Sequence, residues 1–305
     1  MPLRPRPGRK RRKCTVSAGT LYVVSTPIGN LGDLTVRAIE ILRAVPLVLA
    51  EDTRHARILF DRYEIQTPTA ALHEHNEAQS APRLVARLTE GQDLALITDA
   101  GTPLLSDPGA RLVRAAIDAG VPVVPVPGAS ALLAALAGAG LAMDRFTFFG
   151  FLPRKGADRR DAIASIAALS HVSVLYEAPG RVAATLADLV EAGLGGRSAA
   201  VARELTKRFE EFRRGTVDEL AAYYAETPAR GEVVIVVGEG TLAAPDPGAI
   251  RGRVRALRAA GMTRRQIVAE LVAEDGVARN IAYRLAHEPD AETDAAAGAE
   301  PEEDE

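Results

Sequence analysis

The chain has 305 residues, 47% of them hydrophobic and 25% charged, which is ordinary globular composition and enough length for two domains of about 100–150 residues. Collagen-like, disulfide-rich and wholly disordered classes are excluded, and the single cysteine, Cys14, has no internal disulfide partner, so a cytoplasmic setting is expected. No apolar run approaches the ~20 residues of a membrane span, and the basic N-terminus has no apolar stretch behind it, so it does not read as a secretory leader.

The net charge of −3 hides an asymmetry. Residues 1–13 carry seven bases and no acid, and residues 289–305 carry eight acids and no base. Setting these aside from totals of 37 and 40 leaves a near-neutral body of 30 bases and 32 acids. The ends are too poor in apolar surface to fold, so a disordered basic arm (1–18) and a disordered acidic tail (289–305) are expected.

In chain order, short apolar runs at 21–25, 47–50, 94–98 and 121–126, then at 147–152, 172–176, 199–203 and 233–237, predict eight strands. The runs are continuous rather than alternating, the pattern of strands covered on both faces in a parallel sheet. Helical patterns lie between them. Leu34, Ala38, Ile41, Leu42 and Val45 share one face, with Asp33 as N-cap. A second helix is bounded by Pro108 behind Ser106-Asp107 and by Gly120. The chain breaks at Pro127-Gly128. This predicts an α/β protein: two α/β domains, 19–128 and 129–240, with mainly parallel sheets and a cleft between them. A Pro-containing linker at 243–248 then leads to a small C-terminal helical appendage, 249–288, with a helix-turn-helix unit inside it.

Three Gly/Pro-rich loops follow first-half strands, at 26–33, 99–109 and 126–131. In a parallel sheet all three sit on the carboxyl edge, where open α/β sheets bind ligands. None is a Gly-Lys-Ser/Thr phosphate loop or a G-x-G-x-x-G turn, so a nucleoside-like ligand is favoured over a polyphosphate.

The first loop, Thr26-Pro27-Ile28-Gly29-Asn30-Leu31-Gly32-Asp33-Leu34-Thr35, resembles the opening motif of the tetrapyrrole-methylase family of S-adenosylmethionine-dependent enzymes. The 99–109 loop and Pro127-Gly128-Ala129-Ser130 are similar to that family's second and third motifs. The stretches 51–55 (Glu-Asp-Thr-Arg-His), 72–77, 150–155 and 202–207 resemble one branch, which methylates a cytidine ribose 2′-hydroxyl in the decoding region of bacterial 16S ribosomal RNA. The resemblance runs from about Thr20 to His287 and excludes both tails. It implies S-adenosylmethionine as cofactor, a homodimer, and 16S rRNA of the small ribosomal subunit as partner. By position it implies cofactor contacts from Pro27, Asp99, Ala100, Gly101, Pro103, Ser130 and Ala131. The second domain would add Tyr176, Glu177, Arg203, Glu204, Gly231 and Glu232.

A neutral 2′-hydroxyl is a poor nucleophile and gains from a base or from a cation beside the developing oxyanion. The polar candidates near the cleft are Asp52, Arg54, His75, Glu204 and Lys207. Because the methyl donor is already activated, no single indispensable base is expected; Glu204 and Lys207 are expected to act by positioning and charge. His73-Glu74-His75 lacks zinc-site spacing, so no metal is expected. Phosphate contacts are expected from Arg154 and Lys155 and from the acid-free cluster of Arg251, Arg253, Arg255 and Arg258. Two other readings of the same residues are a methyltransferase of small molecules such as tetrapyrroles and a non-catalytic nucleotide-binding scaffold. The arginine clusters favour RNA, and the intact loops favour catalysis.

Overall fold

The structure is a computed structural model that describes residues 17–142, 144–240, 247–273, 277 and 279–288. Apart from residues 17 and 18, the expected basic arm and acidic tail lie outside the described residues, as does most of the expected linker.

The first sheet is built from β1 (Leu21–Val24), β2 (Val48–Ala50), β3 (Thr69–Ala71), β4 (Leu94–Ile97) and β5 (Val123–Val126). Its order is β3-β2-β4-β1-β5, and every pairing is parallel. Helices α1 (Val36–Ala44), α2 (Thr53–Arg62), α3 (Glu74–Thr89) and α4 (Ala110–Asp118) connect the strands. Two apolar clusters form across the sheet. One joins Val24, Val48, Ala50, Ala95 and Ile97 to Leu42, Leu59 and Phe60. The other joins Leu21, Leu49, Leu94 and Leu96 to Leu84, Leu88 and Leu112. Both faces are therefore covered, which is why the strands read as unbroken apolar runs.

The second sheet contains β6 (Phe146–Phe151), β7 (Val172–Glu177), β8 (Ser198–Arg203), β9 (Glu211–Thr216) and β10 (Val233–Val237), in the order β6-β7-β10-β8-β9. Here the expectation of a mainly parallel sheet is corrected. Only β6 and β7 run parallel; β7/β10, β10/β8 and β8/β9 are antiparallel. The apolar runs reported burial on both faces, which is real, and said nothing about direction. One face packs on α5 (Ala131–Ala139), the other on α6 (Ala157–Ala168), α7 (Val182–Leu189) and α8 (Val217–Glu226).

Two helix caps also differ from expectation. The hydroxyl of Thr35, not Asp33, caps α1 by accepting the Ala38 N–H at 3.1 Å; Asp33 lies in a short 3-10 turn before it. Helix α4 begins behind Gly109 (φ 116°) rather than at Pro108. Its capping group comes from another element: the buried carboxylate of Glu77, on α3, accepts the Leu112 N–H at 2.9 Å.

Helices α9 (Pro247–Ala259), α10 (Arg264–Ala273) and α11 (Arg279–His287) form the C-terminal appendage around their own core of Ile250, Val254, Leu257, Ile267, Leu271 and Leu285. No helix among the described residues is long and apolar enough to cross a membrane.

Candidate active site

The carboxyl edge of the first sheet gathers the three predicted loops. Thr26 and Gly101 exchange both backbone hydrogen bonds, at 2.9 and 3.1 Å. The Thr26 hydroxyl donates to the Thr98 carbonyl, and the Thr102 hydroxyl to the Ala129 carbonyl. The second sheet faces this edge. Asn30 N–H donates to the Thr206 hydroxyl at 3.2 Å, and the Lys207 stem lies directly over Gly29, where a Cβ would collide with it.

Between the sheets lies a cavity of about 380 Å³. Ile28, Ala100, Leu105, Ala131, Leu205, Val233 and Val234 give it an apolar wall. Phe151 and Tyr176 add an aromatic edge, their rings 5.6 Å apart and T-shaped, with Phe148 behind at 4.8 Å from Tyr176. Glu51, Asp99 and Asp107 supply three carboxylates. Burial, then the negative charges of Glu51 and Asp99, pushes Asp107 up to about 6. Glu51 is also raised, by burial first and by Asp99 next. A cationic ligand would relieve both.

The loops hold unusual backbone. Four of the five non-glycine residues with positive φ among the described residues flank the cavity: Leu104 (74°), Ser106 (70°), Glu204 (50°) and Thr206 (66°). Such conformations cost about 1–3 kcal/mol each and cluster at functional sites. Gly231 (φ 76°) meets Glu204 so closely that a methyl group there would run into its carboxylate.

The predicted cofactor residues divide. Asp99, Ala100, Gly101, Ala131, Tyr176, Glu177, Gly231 and Glu232 line the cavity. Pro27 lines an adjoining depression, which shares Ile28, Asp99, Ala100 and Glu232 with the cavity. Pro103, Ser130, Arg203 and Glu204 line neither. The Arg203 guanidinium is held by Glu211 at 2.6 Å. The Glu177 side chain is buried and turned to structure: it accepts from the Thr185 hydroxyl at 2.6 Å and pairs with Arg181 at 3.1 Å.

The predicted catalytic group is not brought together at one point. Asp52 caps α2 and grips Arg54 through two oxygens, at 3.0 and 2.6 Å; those bonds hold its carboxyl well below the usual range. His75 is exposed at the start of α3, outside both the cavity and the depression. Glu204 and Lys207 do meet, at 3.0 Å, and Lys207 also reaches Glu232 at 3.1 Å. The Glu232 N–H, then Lys207, holds the Glu204 carboxyl low. Partial burial works against the Lys207 charge, but the two carboxylates outweigh it and raise its pKa.

Of the predicted RNA contacts, Arg154 and Lys155 are exposed, just beyond the Phe151 rim. The appendage arginines are less free than their acid-free stretch suggests. Arg251 pairs with Glu288 at 3.0 Å, and Arg253 comes within 3.8 Å of Glu270. Arg258 donates to the carbonyls of Ala286 and Glu288. Distant acids brought close by folding are invisible to a local charge count.

Sequence reasoning did not single out Glu51, His55, Asp107 or Phe151. The signal lay in the same stretches: Glu51 and His55 flank Asp52 and Arg54, and Asp107 follows Ser106 in the longest loop.

Residues 20–221 match the tetrapyrrole (corrin/porphyrin) methylases. The chain belongs to this family. Its relatives among these methylases include "Ribosomal RNA small subunit methyltransferase I" of Mesorhizobium japonicum, 48% identical over 87% of this chain and 90% of that protein. The protein of the same name from Pseudomonas aeruginosa is 46% identical over 89% and 98%. Among solved structures, cobalt precorrin-4 methyltransferase (18% identity, TM-score 0.56) covers 72% of this chain and 94% of its own. Uroporphyrin-III C-methyltransferase of Thermus thermophilus, complexed with S-adenosyl homocysteine, matches at 20% identity and TM-score 0.54 over 72% and 98%. At that identity these two structures establish the methylase fold.

Proposed function

We propose that this methyltransferase moves a methyl group from S-adenosylmethionine to the 2′-hydroxyl of a cytidine in the decoding region of 16S ribosomal RNA, acting on the small subunit as a cytoplasmic homodimer. The observation that carries the reading is the cavity between the sheets. An apolar and aromatic wall suits an adenine, the Gly101 and Gly231 backbones allow close approach, and three carboxylates suit the ammonium and sulfonium charges of the donor. The donor supplies an activated methyl carbon; the chain's own task is to hold an acceptor oxygen in line with it.

Asp99, on the wall shared by the cavity and the depression, is suited to a ribose hydroxyl or the amino-acid end. Tyr176 and Phe151 offer ring faces and edges to the adenine. Glu204, Lys207 and Glu232 form a charged bridge beside the opening, where they position the acceptor strand. Asp52 and Arg54 act as a pair that fixes the start of α2, and His75 as an outer contact. Arg154, Lys155 and the exposed appendage arginines fit a phosphate backbone, which is recognised through charge and shape. The acceptor class follows the names carried by relatives 46–48% identical over nearly the whole chain.

The test supplies labelled donor together with either small ribosomal subunits lacking the modification or a tetrapyrrole precursor. Label in the 2′-O-methylcytidine of 16S RNA is expected. Label in the tetrapyrrole alone, or in neither, overturns the reading.

A further inference from the structure

The donor cavity and the adjoining depression meet at a common wall of Ile28, Asp99, Ala100 and Glu232. One ionisable ring stands on the depression side of that wall. His55, in the first turn of α2, places Nδ1 3.0 Å from Asp99 Oδ2. The other oxygen, Oδ1, accepts the Asp52 N–H at 3.0 Å. An ionised carboxylate can only accept, so Nδ1 carries the proton and Nε2 presents its lone pair. Nε2 makes no hydrogen bond to any described residue, and the side chain is 63% exposed toward the depression. The arrangement is a base oriented by a third group, at the border of the cavity assigned to the donor.

We propose that His55 is the general base for the acceptor hydroxyl, that Asp99 orients it, and that the depression lined by Pro27, Leu31, His55, Ile58 and Leu59 receives the acceptor nucleotide. This deepens the ribose-methylation reading and rests on it. His55 Nε2 takes the 2′-hydroxyl proton as the ribose oxygen bonds to the methyl carbon. The electron pair of the breaking carbon–sulfur bond stays on sulfur, which becomes neutral, and the proton leaves the imidazolium to solvent afterwards. Asp99 stabilises that imidazolium.

The surrounding charges agree with the role. Asp99 raises the His55 pKa most and Asp52 adds to it, while Arg54 opposes. From the second sheet, Lys207 and Glu232 face the same depression as an ion pair and largely cancel. A raised pKa strengthens the proton affinity of the imidazole. A general base at His55 departs from the expectation that an activated donor leaves no single base indispensable.

Single-turnover methylation of unmodified small subunits tests the proposal across pH 5.5–9, with His55→Gln and His55→Asn beside the parent. The parent rate is expected to rise with pH and level off above the histidine pKa. Both variants are expected to lose about 100-fold or more at pH 7 and to lose that limb, with donor and subunit affinities within about threefold of the parent and unchanged melting. Parent-like rates in either variant overturn the proposal, as does a limb near pH 6 persisting in His55→Gln, which assigns the proton to Asp107 instead. A loss explained by weakened donor binding also overturns it. A parent that methylates no subunit fails the acceptor reading itself, and the base with it.

Discussion

Glu77 offers a sharp test of how the 99–109 loop is held. The residue is 5% exposed, and its carboxylate accepts the N–H of Leu112, the third residue of α4. The N-cap position is Gly109, which has no side chain to offer. Glu77→Ala therefore leaves a helix-end N–H without its charged acceptor. A hydrogen bond to a charged group contributes about 1.5–3 kcal/mol, and a negative charge at a helix N-terminus about 0.3–1 kcal/mol. The two overlap, so a loss of about 2–3 kcal/mol is expected. In a domain of this size that corresponds to a melting decrease of roughly 5–10 °C. Glu77→Gln keeps an acceptor and loses the charge, so it should fall between variant and parent. Thermal melts followed by circular dichroism measure the decrease, and calorimetric titration well below the melt should show donor affinity reduced only a few-fold. An alanine variant that melts within a degree of the parent refutes the cap.

Asp99→Ala is expected to weaken S-adenosylmethionine binding roughly ten- to a hundredfold, read by calorimetry; unchanged affinity means the loop does not contact the donor. Because Asp107 ionises only through about pH 6 in the folded protein, donor affinity should climb as pH rises from 5 to 7. The sign for folding is opposite: a raised carboxyl pKa favours the folded state most at low pH, and that stabilisation fades between the ordinary carboxylate range and about 6. Asp107→Asn should flatten both dependences. Gly231→Ala, at φ 76° and against Glu204, should reduce donor affinity while the melting point shifts by a few degrees at most. Arg255→Ala is expected to weaken RNA binding and lower its salt slope by about one, whereas Arg258→Ala, which removes donors to the Ala286 and Glu288 carbonyls, should chiefly lower the stability of the C-terminal helices.

The interior of both sheets was legible because burial writes itself into sequence as apolar runs. The edges were not. β3 and β9 lie at the margins of their sheets, and Glu211–Thr216 is half-exposed and carries Glu211, Arg213 and Arg214. A strand covered on one side only needs no apolar run and is protected from mispairing by charge. Strand direction in the second sheet was hidden for a related reason: Val233–Val237 would look the same in either orientation. At the site, glycine and proline marked the loops, since their backbone demands leave few alternatives. What escaped was pairing across space. Glu77 ends the 72–77 stretch that carries the family resemblance, yet it caps a helix 35 positions on. Asn76 is likewise structural, its side chain bonded to the His73 N–H and the Ala71 carbonyl. His55 stood in a recognised motif, but only the fold sets it against Asp99.

Ile28 belongs to a first-sheet loop and yet is buried in the apolar cluster of the second sheet, with Leu132, Leu136, Leu205 and Val234. Parting the two halves would pull this side chain into water, at about 1.5–3 kcal/mol, besides breaking the Asn30–Thr206 bond and the Lys207 cover over Gly29. The floor of the cleft is thus riveted rather than hinged. A polymer acceptor cannot then be engulfed by jaws that open; it must bring its reacting unit to a fixed mouth. For a polynucleotide, the reactive sugar must be swung out of its stack before it can reach, with the unstacking energy supplied by contacts elsewhere. For an RNA acceptor the expected outcome is therefore faster methylation at a bulge or distorted junction than within continuous duplex, and equal rates on the two would refute the fixed mouth.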